Sequence, residues 1–548
     1  MAHGLNDGLK LVLAQLNLTV GDVNGNLARM LEAAEQASAQ QADLLLFPEL
    51  SLTSYSPEDL LFSPELQAQT TAAEEGFRAA LPEGLAVLYG TPEYTPQGIF
   101  NVARLVERGR ELACYRKRCL PNYGVFDEKR WFQPGDAPCV VSLRGVRLGL
   151  TICEDLWQPG PAASSAAAGA EALLSISASP YALNKSEERQ RNFQARLDEA
   201  GLPLVVCNLV GGQDEVVFDG ASFALNADGT MGMRAPEWQE GLYTLMLERG
   251  QDGELRVHSD CQSPVLDPDT CQYQGAVLAT RDYLRKNGAY GALVGLSGGI
   301  DSALTLAVAV DAVGKENVTA VMMASRYTRA ISFDCAREQA RLMGVEYLEI
   351  PIDESVDGLS GCLDRGTGEA LTGVAAENIQ ARMRGVMLMA LSNRSGRMVL
   401  ATGNKSELAV GYATLYGDMV GAFAPLRDLS KTRVYALARW RNAQGKVMPD
   451  AVIDRSPSAE LREEQYDSDS LPDYAELDAI IEAFVEEELS ADAITARGHD
   501  RATVLRVLGM IQRNEYKRRQ GAPGPRLSRR AFGRDRRYPI SSGFRRGD

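Results

Sequence analysis

Gly295-Leu296-Ser297-Gly298-Gly299-Ile300-Asp301-Ser302 decides how the second half of the chain is read. An apolar run, Gly291-Ala292-Leu293-Val294, leads into it, and a longer one from Ala303 to Val313 leaves it. That order predicts a buried strand, a tight loop and a helix, the arrangement in which a parallel sheet places anion sites. Ser297, Gly298 and Gly299 add almost no side-chain bulk, so backbone N–H groups can close around phosphate oxygens. No Gly-Lys-Ser/Thr follows the glycines, so this is not a Walker A loop. Asp301 would repel phosphates unless a divalent cation lay between them, which argues for magnesium. A plain Gly-rich turn, with Asp301 as an early-helix charge, is the competing reading of these residues taken alone.

The chain has 548 residues, enough for about two to four domains. Its 45% apolar and 24% charged content is that of a soluble globular protein. No apolar run approaches a membrane span, since the tract Ala162–Ala170 is interrupted by serines and Gly169. The opening MAHGLNDGLK lacks the basic-then-apolar build of a signal peptide, and a cytoplasmic protein is expected. Nine cysteines with no C-x-x-C pair favour reduced thiols. The net charge of −16 is uneven: Lys517–Asp548 carries a local +9, leaving −25 on the remainder. A body that acidic is a poor nucleic-acid binder, and neither nucleic acid nor membrane is expected as a partner. The basic tail reads as a solvated or subunit-contacting segment, or as one facing an anionic substrate. Only His3, His258 and His499 occur, none in a motif-like setting. Ser-His-Asp or Cys-His catalysis and a His-ligated zinc are thereby disfavoured, so a nucleophile here needs a carboxylate or lysine to activate it.

In the first half, strands are expected at Leu9–Leu18, Leu44–Phe47, Ala86–Gly90, Asn101–Val106, Val146–Ile152, Leu173–Ser177 and Leu204–Leu209, with a helix from Asn26 to Ala39. Three strand ends carry candidate chemistry. Glu49 follows LLLF and a proline, where a buried carboxylate would have a raised pKa and act as a base. Lys117 sits in Tyr115-Arg116-Lys117-Arg118, and Cys153 ends VRLGLTIC just before Glu154-Asp155. A neighbouring lysine would stabilise a Cys153 thiolate and a carboxylate could take its proton. Each residue read singly is equally a surface charge or a plain buried cysteine.

FPEL around Glu49, KRCLPNYGVFDE from Lys117 and TICEDLW around Cys153 together resemble the carbon–nitrogen hydrolase (nitrilase) family over roughly residues 8–230. The resemblance implies an α-β-β-α sandwich and a Glu-Lys-Cys triad, which suits a chain with almost no histidine. It implies Cys153 as nucleophile, Glu49 as general base, Lys117 as stabiliser of the tetrahedral oxyanion and Glu128 as a supporting carboxylate. In the glutamine-cleaving branch, Tyr123, Ser179 and Lys185 would bind substrate.

Residues 227–270 lose periodicity and gain Gly, Asp, Pro and Gln, and 259–270 is expected as a linker between a domain at 1–258 and another at 271–548. A helix is expected at Cys271–Asn287, then strands at Ala292–Leu296, Val318–Met323 and Met398–Thr402. The Gly-rich stretch Gly361–Gly373 is expected as a mobile loop. Glu377–Arg384 reads as a helix with Asn378 and Arg382 on one face at i,i+4 spacing, and Thr402-Gly403-Asn404-Lys405-Ser406-Glu407 follows a strand.

The opening loop resembles the SGGxDS loop of ATP pyrophosphatases. With TGNKSE, TLYGDMVGAFAPLRDLSKTRVY, SPSAELR, DSDSLPDY and NEYKRRQ, essentially the whole chain resembles the glutamine-dependent NAD+ synthetase family. The implied fold is α/β throughout, an N-terminal nitrilase-like sandwich followed by a Rossmann-like parallel-sheet ATP pyrophosphatase domain. The implied substrates are glutamine, ATP and deamido-NAD+, with Mg2+ as cofactor and a homo-oligomeric assembly. Gly295, Leu296, Ser297, Gly298, Gly299, Ile300, Asp301, Ser302 and Thr402 would take ATP, and Asp301 with Glu407 the metal. Asn378, Glu407 and Lys517 would contact deamido-NAD+, while Lys431 and Ser458 match positions near the phosphates. A passage for ammonia between Cys153 and Asp301 follows from the chemistry of a coupled enzyme. A glutamine-dependent amidotransferase acting on another carboxylate or carbonyl remains the alternative. One departure stands out: Arg462-Glu463-Glu464 occurs where the family often has a Pro-Gly turn after SAELR.

Overall fold

The computed structural model describes residues 8–544, so His3 and residues 545–548 of the basic tail lie outside the described residues. Contacts divide the chain into two units, residues up to Gln213 with Val217–Asp267, and Asp214–Val216 with Pro268 onward.

The strands of the first unit are β1 (Gly8–Gln15), β2 (Leu44–Leu46), β3 (Ala86–Thr95), β4 (Gly98–Glu107), β5 (Arg110–Arg116), β6 (Cys139–Leu143) and β7 (Val146–Ile152). There follow β8 (Ala172–Ser177), β9 (Leu204–Asn208), β10 (Val210–Gln213), β11 (Val216–Asp219), β12 (Phe223–Leu225), β13 (Met231–Arg234), β14 (Gly241–Arg249) and β15 (Leu255–His258). Its longer helices are α1 (Val23–Ala39), α2 (Pro64–Ala80), α3 (Pro161–Ala167) and α4 (Lys185–Ala200). One sheet has the order β15-β14-β1-β2-β3-β4-β5 and the other β13-β12-β9-β8-β7-β6. In each, the central strands are parallel, β1-β2-β3 in one and β7-β8-β9 in the other.

Alternation along these strands builds the layers. Leu9, Leu11 and Leu13 of β1 share a core with Leu148, Leu150 and Ile152 of β7 between the sheets. The opposite face of the second sheet, with Leu173, Leu204 and Val206, packs on Ala162 of α3 and Phe193 and Leu197 of α4. On the first sheet, Phe77 of α2 meets Phe47 and Tyr89 edge-on. The result is the expected α-β-β-α stack, and burial on both faces explains why these strands read as near-continuous apolar runs.

The stretch 227–270 differs from its expectation. It supplies β13, β14 and β15, and β14 pairs with all of β1, from Gly8↔Glu248 to Gln15↔Gly241. The alternation was masked by Gly, Asp and Pro in the turns, and half-buried edge positions carry no apolar signal.

The second unit carries β16 (Ala292–Gly295), β17 (Val318–Met322), β18 (Glu346–Glu349) and β19 (Met398–Leu400), all parallel in the order β18-β17-β16-β19. Strand order reverses at β16, so the loop after it lies at a topological switch point, where open α/β sheets bind ligands. Its helices begin with α5 (Pro268–Lys286), α6 (Ile300–Val313), α7 (Ala330–Met343), α8 (Asp353–Thr367), α9 (Val374–Ser395), α10 (Lys405–Val410) and α11 (Lys431–Ala443). The stretch expected as a mobile loop at Gly361–Gly373 is helical up to Thr367, as Val356, Leu359 and Leu363 continue a helical spacing through two glycines.

The described part of the basic tail packs on its own unit. Arg530 and Arg536 pair with Glu488, Arg526 with Asp535, and Ser528 donates to Asp428. Lys517, Arg518 and Asn514 donate to the carbonyls of Leu408 through Gly411 and of Ala413, satisfying the C-terminal end of α10.

Candidate functional site

In the first unit, Glu49, Lys117 and Cys153 lie just beyond β2, β5 and β7, at strand carboxyl ends of both sheets. Lys117 Nζ donates to Glu49 Oε1 at 2.6 Å and to Glu128 Oε1 at 2.7 Å. Asn101 Nδ2 donates to the same Glu49 oxygen at 2.7 Å, and the Ala178 N–H to Glu49 Oε2 at 3.0 Å. A side chain at Gly90 would run into the Glu49–Leu50 backbone, so only glycine lets β3 close behind the base. Tyr55 donates to Glu128 at 2.8 Å, while Glu128 Oε2 has no hydrogen-bond partner among the described residues. Burial, with Glu49 adding, pushes Glu128 up to about 7 against the pull of Lys117. Burial alone would lower Lys117, but Glu128 and Glu49 outweigh it and hold the ammonium charged.

Cys153 adopts φ 44°, a left-handed conformation uncommon outside glycine, in the turn that follows β7. Burial and then Glu49 raise its pKa, while Lys117 opposes them, so the resting group is a thiol that needs a base during attack. Asp155 ties this turn to the lysine loop. It accepts from the N–H groups of Ile152, Arg118 and Cys119 and from Tyr115 Oη, at 2.8 to 3.1 Å. Asn101 gave no signal in a strand pattern, and Asp155, read from sequence only as a carboxylate next to Cys153, instead accepts from backbone N–H groups and Tyr115.

The three residues expected at substrate surround the same turn less tightly. Tyr123 Oη donates to both oxygens of Glu154, at 2.9 and 3.1 Å. The Ser179 N–H donates to Asn208 Oδ1, and Lys185, the first residue of α4, donates to the Pro180 carbonyl and lies 5.2 Å from the Trp157 ring.

The second unit holds a cavity of about 440 Å³ at the strand carboxyl ends. Seven of the eight residues Gly295–Ser302 line it, with Thr402, Asn378, Glu407, Lys431 and Ser458. Gly298, which does not line it, has φ +76° and lies where a Cβ would strike the Ser332 carbonyl, so the loop needs glycine there. Ser302 Oγ closes the loop by accepting from the Ser297 N–H and donating to the Gly299 carbonyl. Lys431 Nζ bridges Asp301 Oδ2 at 2.6 Å and Glu407 Oε1 at 3.0 Å, and Asn404 holds Asp301 Oδ1 at 2.8 Å. Burial, with Asp301 adding, pushes Glu407 up to about 8 against Lys431.

Asp301 and Glu407 suit a small hard cation, since magnesium is held by one or two carboxylates completed by substrate phosphates and water. Lys517 is placed differently from Asn378 and Glu407: it braces the carbonyls of Gly411 and Ala413, two residues of the cavity wall, from behind. Arg382, expected on the Asn378 face, is exposed and donates to the Leu415 carbonyl, whereas Arg384 lines the cavity. The Arg462–Glu464 turn keeps a left-handed Glu464, φ 49°, without glycine, and Gln380 and Gln465 hold its start at Leu461.

Residues 10–256 match the carbon–nitrogen hydrolase family and residues 272–521 the NAD synthase family. The glutamine-dependent NAD(+) synthetase of Acinetobacter baylyi is 45% identical over 98% of this chain and 99% of its own length. That of Thermotoga maritima is 40% identical over 98% and 99%. The solved glutamine-dependent NAD+ synthetase of Acinetobacter baumannii, in complex with ADP, superposes with a TM-score of 0.79 at 42% identity, covering 99% of this chain and 100% of that one. The chain belongs to the glutamine-dependent NAD+ synthetase family.

Proposed function

We propose that this chain makes NAD+ from deamido-NAD+, ATP and glutamine, releasing AMP, pyrophosphate and glutamate. The observation that carries the reading is the presence, in one chain, of a buried carboxylate–lysine cluster beside Cys153 and a glycine-loop cavity containing Asp301 and Glu407. Residues 1–258 would cleave glutamine and residues 271–548 would amidate.

In the first half, Cys153 Sγ attacks the side-chain carbonyl carbon of glutamine as Glu49 takes the thiol proton. Lys117, held charged between two carboxylates, offsets the negative charge on the carbonyl oxygen in the tetrahedral state. Glu49 passes the proton to the departing nitrogen, ammonia leaves, and a water activated by Glu49 cleaves the thioester to glutamate. Tyr123, Ser179 and Lys185 hold the substrate's other end, the lysine suiting its α-carboxylate.

In the second half, the carboxylate of deamido-NAD+ attacks the α-phosphorus of ATP, and pyrophosphate leaves into the Gly295–Ser302 loop. Ammonia, which must arrive unprotonated to have a lone pair, displaces AMP from the acyl adenylate. Thr402 and the loop position ATP, while Asn378 and Glu407 position the acceptor, with Lys517 fixing the wall beside them. Lys431 offsets charge building on the leaving pyrophosphate. Magnesium, held by Asp301 and Glu407, would neutralise phosphate charge there. A reducing, cytoplasmic setting suits nine free cysteines.

Cys153→Ala should lower glutamine-driven NAD+ formation by roughly a thousandfold or more and spare synthesis from added ammonium. Loss of both activities in a folded variant would refute the division of labour.

A further inference from the structure

Among the described residues, Arg384 is the one cation of the cavity wall with no carboxylate within ion-pair distance. Helix α9 lines the cavity with Glu377, Ala381, Arg384 and Leu388, successive positions of one helical stripe. Arg384 Nε donates to the Met323 carbonyl, just past β17, at 2.9 Å. Among the described residues, its two terminal nitrogens find no acceptor and no carboxylate lies within ion-pairing distance. The two other cations of the wall already have partners in this structure. Lys431 bridges Asp301 and Glu407, and Arg455 donates to Ser332 Oγ at 2.8 Å with Glu460 at 3.9 Å.

Burial pulls Arg384 down to about 10, and the more distant charges of Glu460, Asp353 and Asp418 do not restore it. A guanidinium stays charged under that pull, so the wall carries a partly desolvated cation without a counter-ion. Such a group is costly unless an anion meets it. The cavity's acidic residues, Asp301, Glu377, Glu407, Asp418, Glu460 and Asp467, outnumber its three cations. An anionic ligand entering there meets net negative charge except at the loop N–H groups, at Arg384, and at Lys431 and Arg455 where they exchange their present partners for it.

We propose that Arg384 is a further phosphate-binding residue of the synthetase cavity, its free Nη N–H groups taking a phosphate oxygen of one of the two nucleotides that react there. The proposal rests on the nucleotide chemistry set out above. The planar fork suits two oxygens of one phosphate, which a lysine at this position would bind only as a point charge. β17 pairs with β16, whose end opens the Gly295–Ser302 loop, so ATP is the nearer source of that phosphate, and the diphosphate of deamido-NAD+ is the other.

The test is calorimetric titration of the full chain as wild type, Arg384→Lys and Arg384→Met with adenosine, a non-hydrolysable ATP analogue and deamido-NAD+. Arg384→Met is expected to lose at least about tenfold in affinity for one nucleotide, which identifies the source, and to keep its adenosine affinity within about twofold. Arg384→Lys should fall between. Unchanged affinity for both nucleotides overturns the proposal, and so does a parallel loss for adenosine, the mark of a packing role. Should Arg384→Met fail to fold, Arg384→Lys decides by the same criterion, a loss confined to phosphate-bearing ligands against one shared with adenosine. A wild-type chain that binds neither nucleotide would refute the nucleotide chemistry itself, a result distinct from either.

Discussion

Lys117 lies between Glu49 and Glu128, and Lys431 lies between Asp301 and Glu407. In the first cluster the lysine and carboxylates are 1%, 0% and 1% exposed. In the second the lysine is 2% exposed, but the carboxylates are 17% and 16% exposed and line an open cavity. The same three-charge device therefore does different work. Closed in by polypeptide, the first set of charges is committed to itself and sets the environment of one thiol. The second can exchange partners, because its carboxylates have room for another cation and its ammonium for a phosphate. Permanence suits covalent catalysis on a small amide, and exchange suits a site that must admit and release polyanions.

The largest effect separating the two belongs to Asp301→Ala, which should cut NAD+ formation by roughly 10²–10³-fold or more from glutamine and ammonium alike. Near-normal synthesis from either source would remove Asp301 from the nucleotide site.

Lys117→Met and Lys431→Met compare the clusters directly. Removing Lys117 strands two closed-in carboxylates and should cost about 3–5 kcal/mol by denaturant titration. Removing Lys431 should cost less, about 1–2 kcal/mol, because its carboxylates reach water in the cavity. Equal losses would erase the contrast.

A smaller effect appears in the pH dependence of stability. Glu128 is pushed up to about 7 in the folded chain, against about 4.3 for a free glutamate. Between those values the folded state holds a proton that the unfolded state has lost. Its contribution is therefore complete below about pH 4.3 and disappears as pH rises through about 7. Glu128→Gln should flatten that decline, measured as denaturation midpoints across the window. An unchanged slope would mean that Glu128 is ionised in the fold throughout.

The smallest effect concerns the turn between Leu461 and Gln465, two residues of the cavity wall. Glu464 sits at φ 49°, so Glu464→Gly should relieve left-handed strain and add about 0.5 kcal/mol after the entropic cost of glycine. Destabilisation would show that the turn depends on the glutamate side chain instead.

How far the sequence could be read tracks the same contrast. FPEL, KRC and TICEDLW are local strings, and each marks one candidate reacting group at a strand end, so Glu49, Lys117 and Cys153 could be picked out as candidates, and the structure brings them together. The groups that orient them could not be picked out in that role. Asn101 and Asp155 act across 52 and 37 residues of chain, and no local pattern marks a partner at that separation. In the second unit the glycine loop was legible from its flanking apolar runs, but the Lys431 bridge spans 130 residues to Asp301. Helical spacing put Arg382 on the Asn378 face but alone could not say which stripe of α9 faces the cavity, where the structure places Arg384. Strands β13–β15 were missed because strands with a half-buried face lack a full apolar period, whether at a sheet edge like β13 and β15 or one strand in like β14.

The central claim is that nitrogen freed at Cys153 becomes the amide of NAD+. Supplying the chain with glutamine labelled with 15N at the side-chain amide, together with ATP, magnesium and deamido-NAD+, tests it by mass spectrometry of the product. The account predicts NAD+ carrying 15N, formed with glutamate and AMP in equal amounts. Release of labelled ammonia and glutamate with no labelled NAD+ at any deamido-NAD+ concentration would contradict it.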